Sequence, residues 1–108
     1  MTFHKVADAD AVPPGTVRAF TAGTTEVVVA NAGGRLCALQ RKCPHMGFDL
    51  GQGTLRGTAL VCPRHAAAFD VTTGAAIDSA KLLFLKSRPK DARTFTVRIE
   101  DGALLIEA

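Results

Sequence analysis

This chain of 108 residues has no tryptophan and no tyrosine, only three cysteines, and no long apolar run. Its longest apolar stretches, such as Val27-Val28-Val29-Ala30 and Leu82-Leu83-Phe84-Leu85, fall far below the roughly 20 residues of a membrane span. No membrane association is expected. The start, Met1-Thr2-Phe3-His4-Lys5-Val6, lacks the charged-then-apolar layout of a secretory signal. An odd number of cysteines implies no structural disulfide framework, which fits a reducing compartment, and the expected location is cytoplasmic. There is no repeat, no low-complexity tract and no linker, so a single domain over residues 1–108 is expected. Basic residues are not packed into a block interleaved with aromatics, which argues against nucleic-acid binding.

The chain is 47% hydrophobic with ten glycines, a globular balance with many turns. Thirteen Lys and Arg against ten Asp and Glu give a net charge of +3. The basic residues are scattered, and two readings stand. They are a solvated surface, or they form a mildly basic face that steers an acidic partner protein. The second draws on Arg41, Lys42 and Arg64, which sit beside the segments singled out below.

Strand signals dominate. Thr16 to Thr21 follows the turn Pro13-Pro14-Gly15, and Thr24 to Asn31 ends at Ala32-Gly33-Gly34, a hairpin break. Arg35 to Gln40 alternates, with Leu36, Ala38 and Gln40 on one face and Cys37 and Leu39 on the other. Thr58 to Val61 is a further strand. Phe95, Val97 and Ile99 alternate with Thr94, Thr96 and Arg98 at a period of two, and Asp101-Gly102 turns the chain into Ala103 to Glu107. The one helical stretch expected is a turn or two near Ala7 to Ala11. This pattern predicts an all-β fold, a small antiparallel β-sandwich or barrel.

Chemistry concentrates in two short segments, Cys43-Pro-His45 and Cys62-Pro-Arg-His65, separated by sixteen residues, 46–61. Each offers one thiolate and one imidazole, donors that suit both iron and zinc. Both follow expected strands in turn-rich stretches, so both are expected to be loops projecting from one end of a sheet. A structural zinc site is the plain alternative, but zinc fingers usually place cysteines with cysteines and histidines with histidines. Here each segment carries one of each. Cys37 is expected to be a buried structural thiol, and His4 a surface or edge-strand residue. Met46, Phe48 and Leu50 are read as packing over the site, as an apolar docking patch around it, or as both at once. Leu82 to Leu85 is read as core or interface. Gly47, Gly51 and Gly53 are expected to serve tight turns.

The arrangement resembles the ligand signature of the Rieske iron–sulfur family. Cys43-Pro-His45-Met46-Gly47 looks like that family's first loop. Cys62-Pro-Arg-His65-Ala-Ala-Ala-Phe69-Asp70 with Thr73-Gly74 looks like its second, and Val97 to Gly102 resembles its closing hairpin. The resemblance implies a Rieske domain with a cluster-binding subdomain. It also implies one [2Fe–2S] cluster, with Cys43 and Cys62 on the inner iron and His45 and His65 on the outer iron. Ala66 stands where the family commonly has glycine, and Ser87-Arg-Pro89-Lys is read as a shielding loop. Family members with disulfide-braced loops have cysteines at the positions of Phe48 and Arg64, so no such bridge forms here. A serine that directs its hydroxyl at the cluster in high-potential members is matched by Ala67, and the chain has no tyrosine. Fewer hydrogen bonds leave the extra electron less stabilised, so a potential of about −150 mV is expected.

After His45 and His65 only His4 remains, too little for the mononuclear iron of the family's oxygenase subunits. The resemblance therefore implies a soluble ferredoxin, an electron carrier and not an enzyme. It would take electrons from a flavin-dependent reductase and pass them to a terminal oxygenase. The alternatives are a Rieske-like small subunit of a nitrite reductase and a zinc-stabilised interaction module.

Overall fold

The computed structural model describes residues 2–44, 47–63, 67–77 and 91–108. Eleven strands lie among them: β1 Phe3–Asp8, β2 Val17–Ala22, β3 Thr25–Ala32, β4 Arg35–Gln40, β5 Thr54–Arg56, β6 Ala59–Val61, β7 Ala68–Asp70, β8 Ala76–Ile77, β9 Thr94–Phe95, β10 Val97–Glu100 and β11 Ala103–Glu107. They form three antiparallel sheets ordered β1-β11-β10, β2-β3-β4-β9 and β5-β6-β7-β8. The all-β expectation holds. No helix among the described residues is long and apolar enough to cross a membrane.

The β2-β3-β4-β9 sheet is the middle layer, which explains the continuous run Val27 to Ala30. Alternate residues of a strand face opposite sides, and here both sides are covered. Val28, Ala30, Cys37 and Leu39 pack with Leu60 and Phe69 of the β5–β8 sheet, whereas Val27, Val29, Ala38 and Phe95 pack with Leu104 and Ile106 of β11. The expected split of β4 into two faces is correct, with apolar cores on both. In β11 only Leu104 and Ile106 are buried, the alternation of a strand with one covered face.

Two elements differ from expectation. Ala7 and Asp8 belong to β1, and the helical stretch shrinks to a 3-10 turn at Ala9–Ala11. The pairing of β1 with β11, Phe3 opposite Glu107 through Asp8 opposite Ala103, is decided a chain length away, so local sequence does not display it. His4 sits on this edge strand, as expected. The alternating run from Thr94 is not one strand. β9 pairs with β4 and β10 with β11, so the chain changes sheets at Thr96. The Asp101-Gly102 turn does close the final hairpin.

The short segment 91–93 ties two sheets together. Asp91 Oδ1 accepts from the Ala76 amide at 2.8 Å, and the Ala92 amide donates to the Gly74 carbonyl at 2.7 Å. The Arg93 amide donates to Gln40 Oε1 at 2.7 Å, while the Gln40 amide donates to the Arg93 carbonyl at 2.8 Å. One strand-like segment thus joins the end of β4 to the β7–β8 turn. Leu82 to Leu85 and Ser87 to Lys90 lie outside the described residues.

Candidate metal centre

The first cysteine segment begins three residues after β4 closes, on a short antiparallel ladder. The Leu50 amide donates to the Arg41 carbonyl at 2.7 Å, Lys42 bridges Asp49, and the Cys43 amide donates to the Phe48 carbonyl at 2.7 Å. The ladder leaves a six-residue loop, 43–48. Inside it the Gly47 amide returns to the Cys43 carbonyl at 2.7 Å, and Gly47 takes φ +76°, a left-handed conformation that costs a residue with a Cβ about 1–2 kcal/mol. Gly51 and Gly53 serve the 3-10 turn Leu50–Gln52 that follows.

The second segment is built the same way. It joins β6 to β7, which pair through Val61 and Ala68. The Cys62 amide donates to the Ala67 carbonyl at 2.8 Å, so the loop 62–67 again holds six residues and begins at its cysteine. The two loops leave different sheets, not one end of the same sheet as expected. They nevertheless converge, because Cys43 and Cys62 share one core cluster with Leu39, Leu50, Leu60 and Phe69. Each cysteine is 2% exposed, and none of the three cysteines is in a disulfide. His45, Met46, Arg64, His65 and Ala66 lie outside the described residues, so the thiol half of the expected ligand set is what the structure places.

The packing expectation is met for two of the apolar residues. Leu50 is fully buried, and Phe48 is half-buried against the same core, so both cover the thiols. Cys37 is buried in that core as expected, and burial pushes its thiol up, with the Arg35 charge opposing and Asp70 adding to the rise. Such a thiol is poorly suited to be a nucleophile.

Sequence reasoning missed the charges at the base of the first loop. Arg41 is paired with two carboxylates. Its Nε and Nη2 meet Asp49 Oδ1 and Oδ2, both at 3.1 Å, and its Nη1 meets Glu26 Oε1 at 3.0 Å. Asp49 Oδ1 also accepts from the Gly51 amide at 2.8 Å. The Arg41 hydrogen bonds hold the Asp49 carboxyl below the usual carboxylate range, against burial, which pushes it up. Pairs spaced 8 and 15 residues apart leave no local signature.

Asp70 is lowered in the same sense, first by the Thr72 hydroxyl at 2.6 Å and then by the Thr72 amide at 2.8 Å. A carboxyl that protonates less readily when folded leaves the unfolded chain holding more protons in acid. Its contribution is therefore complete above the ordinary carboxylate value and disappears as pH falls through the lower folded value. Thermal stability is expected to be level from about pH 5 to 8 and to fall below about pH 4. Asp70→Asn should flatten that acid slope. Melting curves against pH for the two proteins check this, and equal slopes would count against it.

Three comparisons bear on this geometry. The model of the Rieske [2Fe-2S] domain family matches residues 2–87. The biphenyl dioxygenase ferredoxin subunit of Pseudomonas sp. (strain KKS102) is 30% identical, over 99% of this chain and 93% of its own length. Among solved structures, the Sphingomonas yanoikuyae B1 ferredoxin superposes with a TM-score of 0.84 at 26% identity, over 99% of both chains. A chain from the complex of reduced oxygenase and oxidized ferredoxin in carbazole 1,9a-dioxygenase superposes at 0.82 with 28% identity, covering 96% of this chain and 91% of its own.

Proposed function

The chain belongs to the Rieske [2Fe–2S] domain family, and from that premise we propose that Cys43, His45, Cys62 and His65 hold one [2Fe–2S] cluster. It is an electron carrier, since the relatives it matches over most of their own length are ferredoxin components. The observation that carries the ligand assignment is the pair of six-residue loops. Each opens on a buried cysteine, each is closed by that cysteine's own amide, and both cysteines enter one apolar core.

The donor set fits the group. When bound, such a cluster takes up and releases one electron. Two thiolates in one apolar pocket suit a cationic core, because an isolated buried thiolate is costly without a counter-charge. The two imidazoles are neutral ligands, so the iron they would hold is easier to reduce than one held by two thiolates. Leu50, Leu60 and Phe69 keep water from the thiol side.

The donor is a flavin-dependent reductase and the acceptor a terminal oxygenase, in a cytoplasmic setting, with residues 1–108 acting as one domain. The oxygenase assignment is supported by the carbazole dioxygenase complex, in which a ferredoxin of similar fold is bound to its oxygenase.

An anaerobic redox titration followed by electron paramagnetic resonance, with iron and sulfide counted, tests the assignment. The expected result is a rhombic signal of low average g-value with a midpoint of about −150 mV. Ala67→Ser, which offers a hydroxyl where the family's high-potential members have one, should raise the midpoint. One added hydrogen bond to the reduced state, about 1.4 kcal/mol, corresponds to roughly 60 mV for one electron. A colourless protein with stoichiometric zinc would remove the cluster. A midpoint well above zero would keep it but overturn the reading of Phe48, Arg64 and Ala67.

A further inference from the structure

The base of the first cysteine loop is gripped from both sides by side chains that do not ligate anything. On one side, Asp49 takes the Arg41 guanidinium with both oxygens and the Gly51 amide with Oδ1. The main chain of Asp49 also bridges that of Lys42 in the ladder immediately before Cys43. On the other side, Gln40 Nε2 donates to the Lys42 carbonyl at 2.7 Å while its Oε1 accepts from the Arg93 amide at 2.7 Å. The three residues preceding Cys43 are therefore each tied to a different part of the chain: Gln40 to segment 91–93, Arg41 to Asp49 and Glu26, and Lys42 to both Gln40 and Asp49.

We infer that Gln40 and Asp49 are positioning residues for Cys43. Gln40 ties the Lys42 carbonyl directly, and the Asp49 side chain holds the Arg41 guanidinium and the Gly51 amide across the base of the loop, so that the thiol enters the shared core at the place the second loop requires. This rests on the assignment of Cys43 and Cys62 as cluster ligands. A ligand thiol must be held to a few tenths of an ångström, and two residues of loose backbone before it would not do so. Glu26 contributes differently. It meets Arg41 only, through side chains, and Arg41 has Asp49 as a bidentate partner already. Removing the Glu26 charge leaves every backbone tie in place.

That difference separates positioning from charge. Asp49→Asn and Glu26→Gln each remove one negative charge near the loop, and both should move the midpoint upward, since reduction adds an electron. Only Asp49→Asn breaks the fork to Arg41. Gln40→Leu removes both amide bonds with no change of charge. The experiment is an anaerobic challenge of each purified holoprotein with an iron chelator, following loss of the visible and paramagnetic signals, with g-values recorded beforehand.

Asp49→Asn and Gln40→Leu should lose the cluster about tenfold faster than the parent, the lower end of what outlying ligand supports contribute to metal affinity. Both should also show altered g-values. Glu26→Gln should lose it within twofold of the parent, as should Glu100→Gln, which breaks the Arg98 ion pair in the terminal sheet. Retention by Asp49→Asn and Gln40→Leu equal to the parent overturns the inference. So does equal acceleration by Glu26→Gln, which would make the effect one of charge. A parent protein with no paramagnetic signal overturns the cluster assignment itself and this inference with it.

Discussion

Cys43→Ser and Cys62→Ser should each yield protein with no rhombic paramagnetic signal and no visible colour, a complete loss and not a graded one. A serine hydroxyl keeps its proton at neutral pH, so it cannot replace a thiolate as a charged, soft ligand. Both cysteines are 2% exposed inside one apolar cluster, so there is no neighbouring donor from solvent to stand in. His45→Ala and His65→Ala should likewise remove the low average g-value, because that signature requires imidazole on one iron. Cys37→Ser provides the internal control. Cys37 lies in the same core, 7% exposed, but on β4 and outside both loops. It should leave the signal intact and cost stability alone, about 1–3 kcal/mol for placing a hydroxyl in an apolar site. Iron content and paramagnetic resonance on the five purified variants check this set. A Cys43 or Cys62 variant that keeps the parent signal would remove that residue from the ligand set.

Gly74→Val should be the most damaging single change outside the loops. Gly74 has φ +78°, which a β-branched residue rarely adopts. A Cβ there would run into the Ala92 carbonyl oxygen and sit 2.8 Å from Thr94 Cγ2. The glycine is close because it is bonded at both ends, its amide to the Asp70 carbonyl at 2.6 Å and its carbonyl from the Ala92 amide at 2.7 Å. The substitution therefore adds backbone strain and forces apart the seam that joins segment 91–93 to the β7–β8 turn. A loss of roughly 3–5 kcal/mol is expected, a large share of the 5–15 kcal/mol that a domain of this kind has in total. Gly57→Ala isolates the strain. Gly57 has φ +61° but nothing within 4 Å of its missing Cβ, so it should lose only about 1 kcal/mol. Denaturant unfolding of the two variants checks the contrast, and equal losses would show that crowding at Ala92 is unimportant.

Sequence alone determined the parts whose causes are local. Two Cys-x-His-like segments with interleaved donors pointed to the family, and the structure places their cysteines at matching positions in two closed loops. Period-two runs and turn dipeptides located β3, β4, β10 and β11, because alternation and left-handed turns are properties of a few consecutive residues. The long-range choices needed the tertiary structure. β1 is a strand because β11 pairs with it, and Thr96 divides one alternating run between two sheets. The cysteine loops leave different sheets and meet only because both of those sheets pack on one core. Arg41 is paired with Asp49 and Glu26, which sequence spacing did not reveal, and the Gln40 side chain reaches a residue 53 positions away. Periodicity reports which faces of a strand are apolar. It carries no information about which distant backbone amide or carboxylate a polar side chain will meet, and at the base of the cysteine loop those meetings set the geometry.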